Sequence, residues 1–390
     1  MSASHARASA PDAREEAAIR EIAALLGEMV RRDCPAGTLA RRDAHAKHHG
    51  LVRGVFRVDA DVPPELRHGL FADARTYPAW IRFSNGAPHV QSDRKRDQRG
   101  MAIKLVDVPG EKVLEDEQDA PTQDFVLASC PRFFIRSVAD YLPFTRAAVK
   151  APAIRVLGFF FGWNPFRWRL HELRALLGSL GRATSPLTTR YWSQTPYRLG
   201  PLAVKYSARP LAAPPVHAEA DASADFLREV MAGQLGRGPA VFEFLVQVQA
   251  DPGRMPIEDS TVEWRESDAP FRRVATITIP LQRFDSDAQM ALAEQLSFTP
   301  WHTRPEHAPL GGINRVRRVV YETISRLRHD LNGIVRREPR SLEIDPELIT
   351  PRDGPRDAAA DTQQPVAEVS PRAARTRSAN TEKPRARRCS

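Results

Sequence analysis

The sequence predicts an α+β domain, and three observations predict it. Short runs at Leu51–Val58, Trp80–Ser84, Asp97–Leu105 and Asp124–Leu127 alternate or are brief and β-rich, as antiparallel strands are. Two longer stretches, Asp12–Arg32 and Asn314–Asp330, repeat their apolar residues at helical spacing instead. The composition suits a chain that buries a core: of 390 residues, 42% are hydrophobic and 27% charged. That length is enough for one large domain or two.

Composition also excludes several classes. No run of about 18 apolar residues occurs, so no transmembrane segment is expected. Met1–Ala10 is small and polar and lacks the apolar stretch of a secretory signal. Cys34, Cys130 and Cys389 are too few and too scattered for a disulfide framework, which implies a reducing, cytoplasmic location. The net charge of +9 is partly local, because Pro371–Ser390 carries seven Arg or Lys against the single acid Glu382. With five prolines from Pro351 to Pro384 and few apolar residues, 336–390 is expected to be a disordered basic tail. Such a tail touches nucleic acid or anionic lipid through charge alone, so no specific nucleic-acid partner is expected. The competing view is a solubilising tail with no partner. The expected layout is an N-terminal extension at 1–34, the main domain at 35–335 and the tail.

Taken in order, Asp12 with Glu15 makes a capping-box start. Ile19, Ile22, Leu26, Met29 and Val30 then give the first helix its apolar stripe. His45, His48 and His49 fall within five residues and raise the question of a metal site. Gly50 and the strand after it argue against a helix presenting His45 and His49 together. The other reading is one acid/base histidine among basic neighbours. In the strand that follows Asp97, Gly100 allows a close backbone approach to something flat. Cys130 precedes an aromatic string and a helix from about Ser137 to Lys150; it is either a small buried filler or an oxidisable thiol. Residues 152–210 read as linker-like, with an aromatic cluster from Phe159 to Phe166 and a helix at Leu170–Leu180. Asp221–Leu235 reads as a surface helix.

The helix Asn314–Asp330 carries two stripes. Val316, Val320, Ile324 and Leu327 form the apolar one, while Arg317, Tyr321 and Arg328 share another face at i, i+4 and i+11. A phenol with a free pKa of roughly 10 is a poor metal ligand until a nearby guanidinium favours its anion. A phenolate can bind ferric haem iron, and a buried arginine can hold a propionate in a fork. The alternative is an amphipathic helix with a solvated basic face.

The strings His45-Ala46-Lys47, Arg82-Phe83-Ser84, Asp97-x-Arg-Gly-x-Ala-x-Lys104 and Pro131-x-Phe-Phe-Ile-Arg136, in this order, resemble the haem catalase family. The chain is similar in particular to its small bacterial catalase-related members. Tyr321 with Ser325-Arg-Leu-Arg328 falls where that family places its proximal helix. Phe242–Val248, Pro256–Trp264, Arg273–Leu281, Ala293–Trp301 and Tyr191–Tyr197 resemble intervening segments, so the likeness covers roughly 35–330. It implies an antiparallel β-barrel with surrounding helices, a haem b cofactor with ferric iron, a homo-oligomer and a peroxide substrate, with a second peroxide or an organic donor as reductant.

Residue by residue, the resemblance assigns Tyr321 to the iron and Arg317 to keeping it ionised. Arg42, Arg82 and Arg328 match propionate-binding arginines, His45 the distal acid/base and Ser84 its orienting partner. Val126, Phe133 and Tyr141 fall on pocket positions, Tyr141 where the family has phenylalanine, and Pro300 lies near the proximal side. The family's distal asparagine is missing; Ala128, Ser129 and Cys130 stand there, and Ser129 is the candidate donor. Ala44 is smaller than the usual valine, which implies a roomier pocket. Two other functions are implied as alternatives: an organic hydroperoxide isomerase or dehydratase like the catalase-related allene oxide synthases, and a haem-binding protein without turnover.

Overall fold

A computed structural model of the chain describes residues 10–35, 37–149, 154–161, 168–216 and 223–351. Residues 162–167 of the aromatic cluster, the start of the helix expected from Asp221, and 352–390 of the expected tail lie outside the described residues.

Nine strands form one antiparallel sheet: β1 (His48–Val58), β2 (Thr76–Asn85), β3 (Arg99–Val106), β4 (Thr122–Ala128), β5 (Tyr191–Trp192), β6 (Tyr197–Leu199), β7 (Leu202–Ala212), β8 (Ala240–Val248) and β9 (Arg272–Ile279). In the order β5-β4-β3-β2-β1-β9-β8-β7, with β5 paired to β7, eight of them close into a barrel, and β6 adds a hairpin on β7. Closure removes the edges that an open sheet would expose. Alternate residues point inward: Phe56, Ile81, Phe83, Met101, Ile103, Phe125, Phe244 and Tyr206 fill the interior. The rings of Phe125 and Phe244 lie 4.8 Å apart and those of Phe125 and Tyr206 5.2 Å, so the barrel is a packed core and not a channel. The stretch expected to be a linker, 152–210, supplies three of these strands, and its inward residues Tyr191, Val204 and Tyr206 are buried.

Seven helices accompany the barrel among the described residues: α1 (Ala13–Arg32), α2 (Val138–Val149), α3 (Ile154–Phe160), α4 (Leu170–Ser179), α5 (Phe226–Leu235), α6 (Asp287–Gln295) and α7 (Gly312–Asn332). The Asp12 side chain accepts the Glu15 N–H at 2.8 Å and starts α1. Ile19, Ile22, Ala23 and Val30 of α1 then pack on Val138 of α2 and Val316, Val320 and Ile324 of α7. Residues 13–32 are therefore part of the helical layer, not an extension beside it.

The expected tail boundary also moves. Residues 336–351 fold back on the barrel instead of leaving it. Trp80 Nε1 donates to the Ser341 carbonyl at 3.1 Å, and Leu342, Ile344, Leu348 and Ile349 join Leu51, Trp80 and Leu292 in a second cluster. Lys104, fully buried, lies 2.7 Å from Asp124 and 2.6 Å from Glu338, which ties the segment down by charge. Four apolar residues, Leu342, Ile344, Leu348 and Ile349, dock this proline-containing stretch.

Candidate active site on the outer face of the barrel

While Ile81, Phe83, Met101, Ile103 and Phe125 point inward, their neighbours Arg82, Ser84, Gly100, Ala102 and Val126 point outward. The register sets them side by side: Arg82 opposite Ala102, Ser84 opposite Gly100, and Ala102 opposite Val126. This patch is one wall of a cavity of about 450 Å³, closed by α7, α2, α4 and the end of α1. Arg42, His45, Arg82, Ser84, Val126, Phe133, Tyr141, Arg317, Tyr321 and Arg328 all line it.

His45 has φ 58°, a left-handed conformation uncommon outside glycine. Its N–H donates to the Gly86 carbonyl at 3.1 Å, and its own carbonyl accepts from Arg82 at 3.0 Å. Nδ1 is 3.1 Å from Ser84 Oγ, which fixes the ring plane and leaves Nε2 as the ring atom available to a molecule in the cavity. The flat object that Gly100 accommodates is this imidazole: a Cβ at position 100 would stand 2.6 Å from Nδ1. Burial, with Arg82 beside it, pushes the imidazole down to about 4, so it is a neutral base at pH 7. His48 faces Glu294 and His49 faces Asp93, so the three histidines do not converge on a metal.

On α7, Arg317 donates to Tyr321 Oη at 3.2 Å and to Thr195 Oγ1 at 3.1 Å. Thr195 in turn donates to Asn314 Oδ1 at 3.0 Å, and the Asn314 amide is held by the Pro196 and Leu310 carbonyls. Burial disfavours the Arg317 charge, but Tyr321 and Tyr197 outweigh it and raise the guanidinium above its usual value.

Arg42, Arg82 and Arg328 converge on the last turn of α6. The carbonyls of Ala293, Glu294, Gln295 and Leu296 have no helical partner, and they accept from Arg82 at 2.9 Å, Arg328 at 2.7 and 3.0 Å, and Arg42 at 2.9 and 2.5 Å. Arg82 is 3% exposed and Arg328 1%. Glu294 pairs with Arg41 and Arg42, but among the described residues Arg82 and Arg328 have no ion pair, and Arg328 Nε has no hydrogen-bond partner. Burial first, and the neighbouring guanidiniums second, push both well below the ordinary arginine value. A buried cationic cluster short of anions, opening on one cavity, fits a ligand that brings two carboxylates. Haem propionates are such a pair, and Tyr321 supplies an oxygen of the right chemistry for iron.

One assignment fails. Ser129 is absent from the cavity lining, because its Oγ accepts the Arg99 N–H at 2.8 Å and completes the β3–β4 pairing beyond Ala128. It cannot serve as the missing distal donor. Cys130 is buried and its thiol pushed up by burial, which suits a filler and not a reactive thiol. Ser297 and Phe298, rather than Pro300, reach the cavity. Sequence reasoning missed Asp43, a cavity residue whose carboxyl burial pushes up to about 6. It also missed Gln98 and Gln194, which line the cavity; the Gln194 amide donates to the Arg132 carbonyl at 3.0 Å. The available signals were position alone: Asp43 two residues before His45, and Gln98 two before Gly100.

The fold is catalase-like: a closed eight-stranded antiparallel barrel with helices around it. The architecture matches the crystal structure of a fungal catalase with a TM-score of 0.59 at 17% identity, over 85% of this chain and 72% of that one. It matches a bacterial catalase at 0.56 and 19% identity, over 75% of this chain and 58% of that one. In sequence, the chain is 29% identical over 297 residues to a catalase-related peroxidase of Mycolicibacterium paratuberculosis (strain ATCC BAA-968 / K-10), covering 74% of this chain and 88% of that protein. No family model matches the sequence.

Proposed function

We propose that the protein is a haem-dependent peroxide oxidoreductase of catalase or peroxidase type. One observation carries this: a phenol under a guanidinium, a neutral imidazole and an anion-deficient cluster of arginines face the same cavity. Bound haem would supply the redox chemistry with peroxide. Tyr321 Oη would hold the iron, with the Arg317 N–H offsetting negative charge on that oxygen. Arg42, Arg82 and Arg328 would hold the two propionates. His45 takes a proton from one peroxide oxygen and returns it to the leaving oxygen, a task for which a neutral base is needed first and its conjugate acid second. Ser84 keeps the ring in place throughout. With Ser129 turned into the strand pairing, Gln98, a residue of the cavity lining, is the amide side chain we assign to peroxide binding.

The test uses the full chain supplied with haem. Wild type is expected to show a Soret band that peroxide perturbs. Tyr321→Phe is expected to retain haem poorly or to change its charge-transfer bands. His45→Ala is expected to keep haem and to react with peroxide about a hundredfold more slowly, or less. If both variants behave as wild type, the proposed roles are wrong. Oxygen release from hydrogen peroxide separates dismutation from the use of organic hydroperoxides.

A further inference from the structure

Two carboxylate residues line the cavity among the described residues, Asp43 and Asp97. Asp97 is fully engaged: it accepts the Ala87 N–H at 3.1 Å, the Gln91 amide at 3.0 Å and the Gln98 N–H at 2.8 Å. Asp43 is not, because only the N–H groups of Asp43 itself and of Ala44 bond to its carboxyl. Four guanidiniums share the cavity, and each is committed elsewhere. Arg42 is held by Glu294 and the Leu296 carbonyl, Arg82 by the Ala293 carbonyl, Arg317 by Tyr321 and Thr195, and Arg328 by the carbonyls of Glu294 and Gln295. The Asp43 charge still acts on the Arg42 guanidinium and the Tyr141 phenol, both groups of the lining.

Such an anion costs free energy where it stands, since it is poorly solvated and has no cation of its own. Its segment is also held still on both sides. The Ala40 N–H donates to Asn332 Oδ1 at 2.8 Å, Arg41 pairs with Glu294 at 2.9 Å, and the His45 N–H donates to the Gly86 carbonyl at 3.1 Å. Toward bound haem, Asp43 has no pairing role: it repels the propionates that Arg42, Arg82 and Arg328 would hold. A bonding role remains. A carboxylate is a competent nucleophile toward an electron-poor carbon, and a desolvated, immobilised one more so. Haem carries methyl groups on its rim, and removal of two electrons makes such a carbon electron-poor.

We propose that Asp43 is a haem-attachment residue, whose carboxylate forms an ester with a rim methyl carbon of haem during the first turnovers with peroxide. The inference rests on the peroxide-enzyme reading above. The Asp43 oxygen gains a C–O bond, and the methyl carbon gives up one C–H bond and two electrons. Peroxide accepts those electrons, its O–O bond breaks, and with the released proton and one from solvent it leaves as two waters. Burial raises the Asp43 carboxyl to about 6, so the nucleophilic form still predominates in mildly alkaline solution.

The test uses the haem-loaded full chain at mildly alkaline pH, before and after a few equivalents of hydrogen peroxide. Each sample is denatured, chromatographed and weighed by mass spectrometry. Untreated wild type is expected to release its haem. Treated wild type is expected to carry the mass of haem less two hydrogens, on the tryptic peptide Asp43–Lys47, and to lose it in mild base as an ester does. Asp43→Asn is expected to take up haem with the Soret band of wild type and to release all of it after peroxide; Tyr141→Phe is expected to attach haem as wild type does. Haem that responds to peroxide yet stays extractable from wild type would overturn the attachment and leave the peroxide reading standing. Attachment that survives in Asp43→Asn, maps to another peptide or resists base would overturn it as well, and these outcomes need no folded variant beyond wild type for the last two. A chain that takes up no haem, or haem that peroxide does not perturb, would sink both.

Discussion

Replacing Gly100 by alanine tests the geometry around His45 most directly. The new methyl would stand 2.6 Å from His45 Nδ1, 2.7 Å from Ser84 Oγ and 2.8 Å from His45 Cε1. A comfortable contact is about 3.5 Å, so the imidazole must move by roughly 1 Å. It cannot do so freely, because the ring is bound to Ser84 and the backbone is held at Gly86 and by Arg82. A displacement of about 1 Å at a proton-transferring group costs on the order of a hundredfold in rate. Overpacking strain adds about 1–3 kcal/mol to the loss of stability. Stopped-flow mixing with peroxide, followed at the Soret band, is the assay. Haem retention should be unchanged, since Tyr321 and the arginine cluster are untouched. The same change made in His45→Ala should cost nothing further in rate. An unimpaired Gly100→Ala enzyme, or a second loss of similar size without the imidazole, would refute the account.

Two further outcomes concern the scaffold. His307 and His329 are buried and pushed down to about 3 and about 4 by burial, and His48 and His49 are lowered in the same way. Below about pH 6.5 the unfolded chain takes up these protons and the native one does not, so stability is full above that pH and falls as the pH drops toward about 4. Asp43 and Asp124, each raised to about 6, and Glu322, raised by burial, act in the opposite sense but are outnumbered by the buried histidines; a denaturation series on the haem-free protein that stayed level across this range would contradict the burial of these rings. Lys104→Met removes one partner of a buried pair and leaves Asp124 and Glu338 facing each other's charge, so a loss of about 3–5 kcal/mol is expected. Proteolysis should then begin near 336–351.

The strands and α7 were legible because their periods are short and local. Tyr321 with Arg317 is an i, i+4 pair, and Arg82 with Ser84 an i, i+2 pair, so sequence spacing alone puts each on one face. Gly100 was legible as a close approach, though not what approached it, since His45 lies 55 positions upstream on a separate segment. The docking of 336–351 was not legible because four apolar residues among prolines have no periodic signature until Trp80 and Leu51 are there to receive them. Ser129 was misjudged for a related reason: whether a hydroxyl serves a substrate or a strand partner depends on the Arg99 amide across the sheet. The gathering of Arg42, Arg82 and Arg328 by the last carbonyls of α6 joins segments 34 to 254 residues apart in sequence and has no local trace.

Because the barrel is filled and the cavity lies outside it, positions 81, 83, 101 and 103 answer to a different demand from positions 82, 84, 100 and 102. Changes at the first set alter how firmly the molecule holds together; changes at the second alter what it accepts. The outer set can therefore drift toward new chemistry while the inner set stays fixed. The weak point is register: one residue inserted into β3 would carry Gly100 into the interior and turn a methionine on His45.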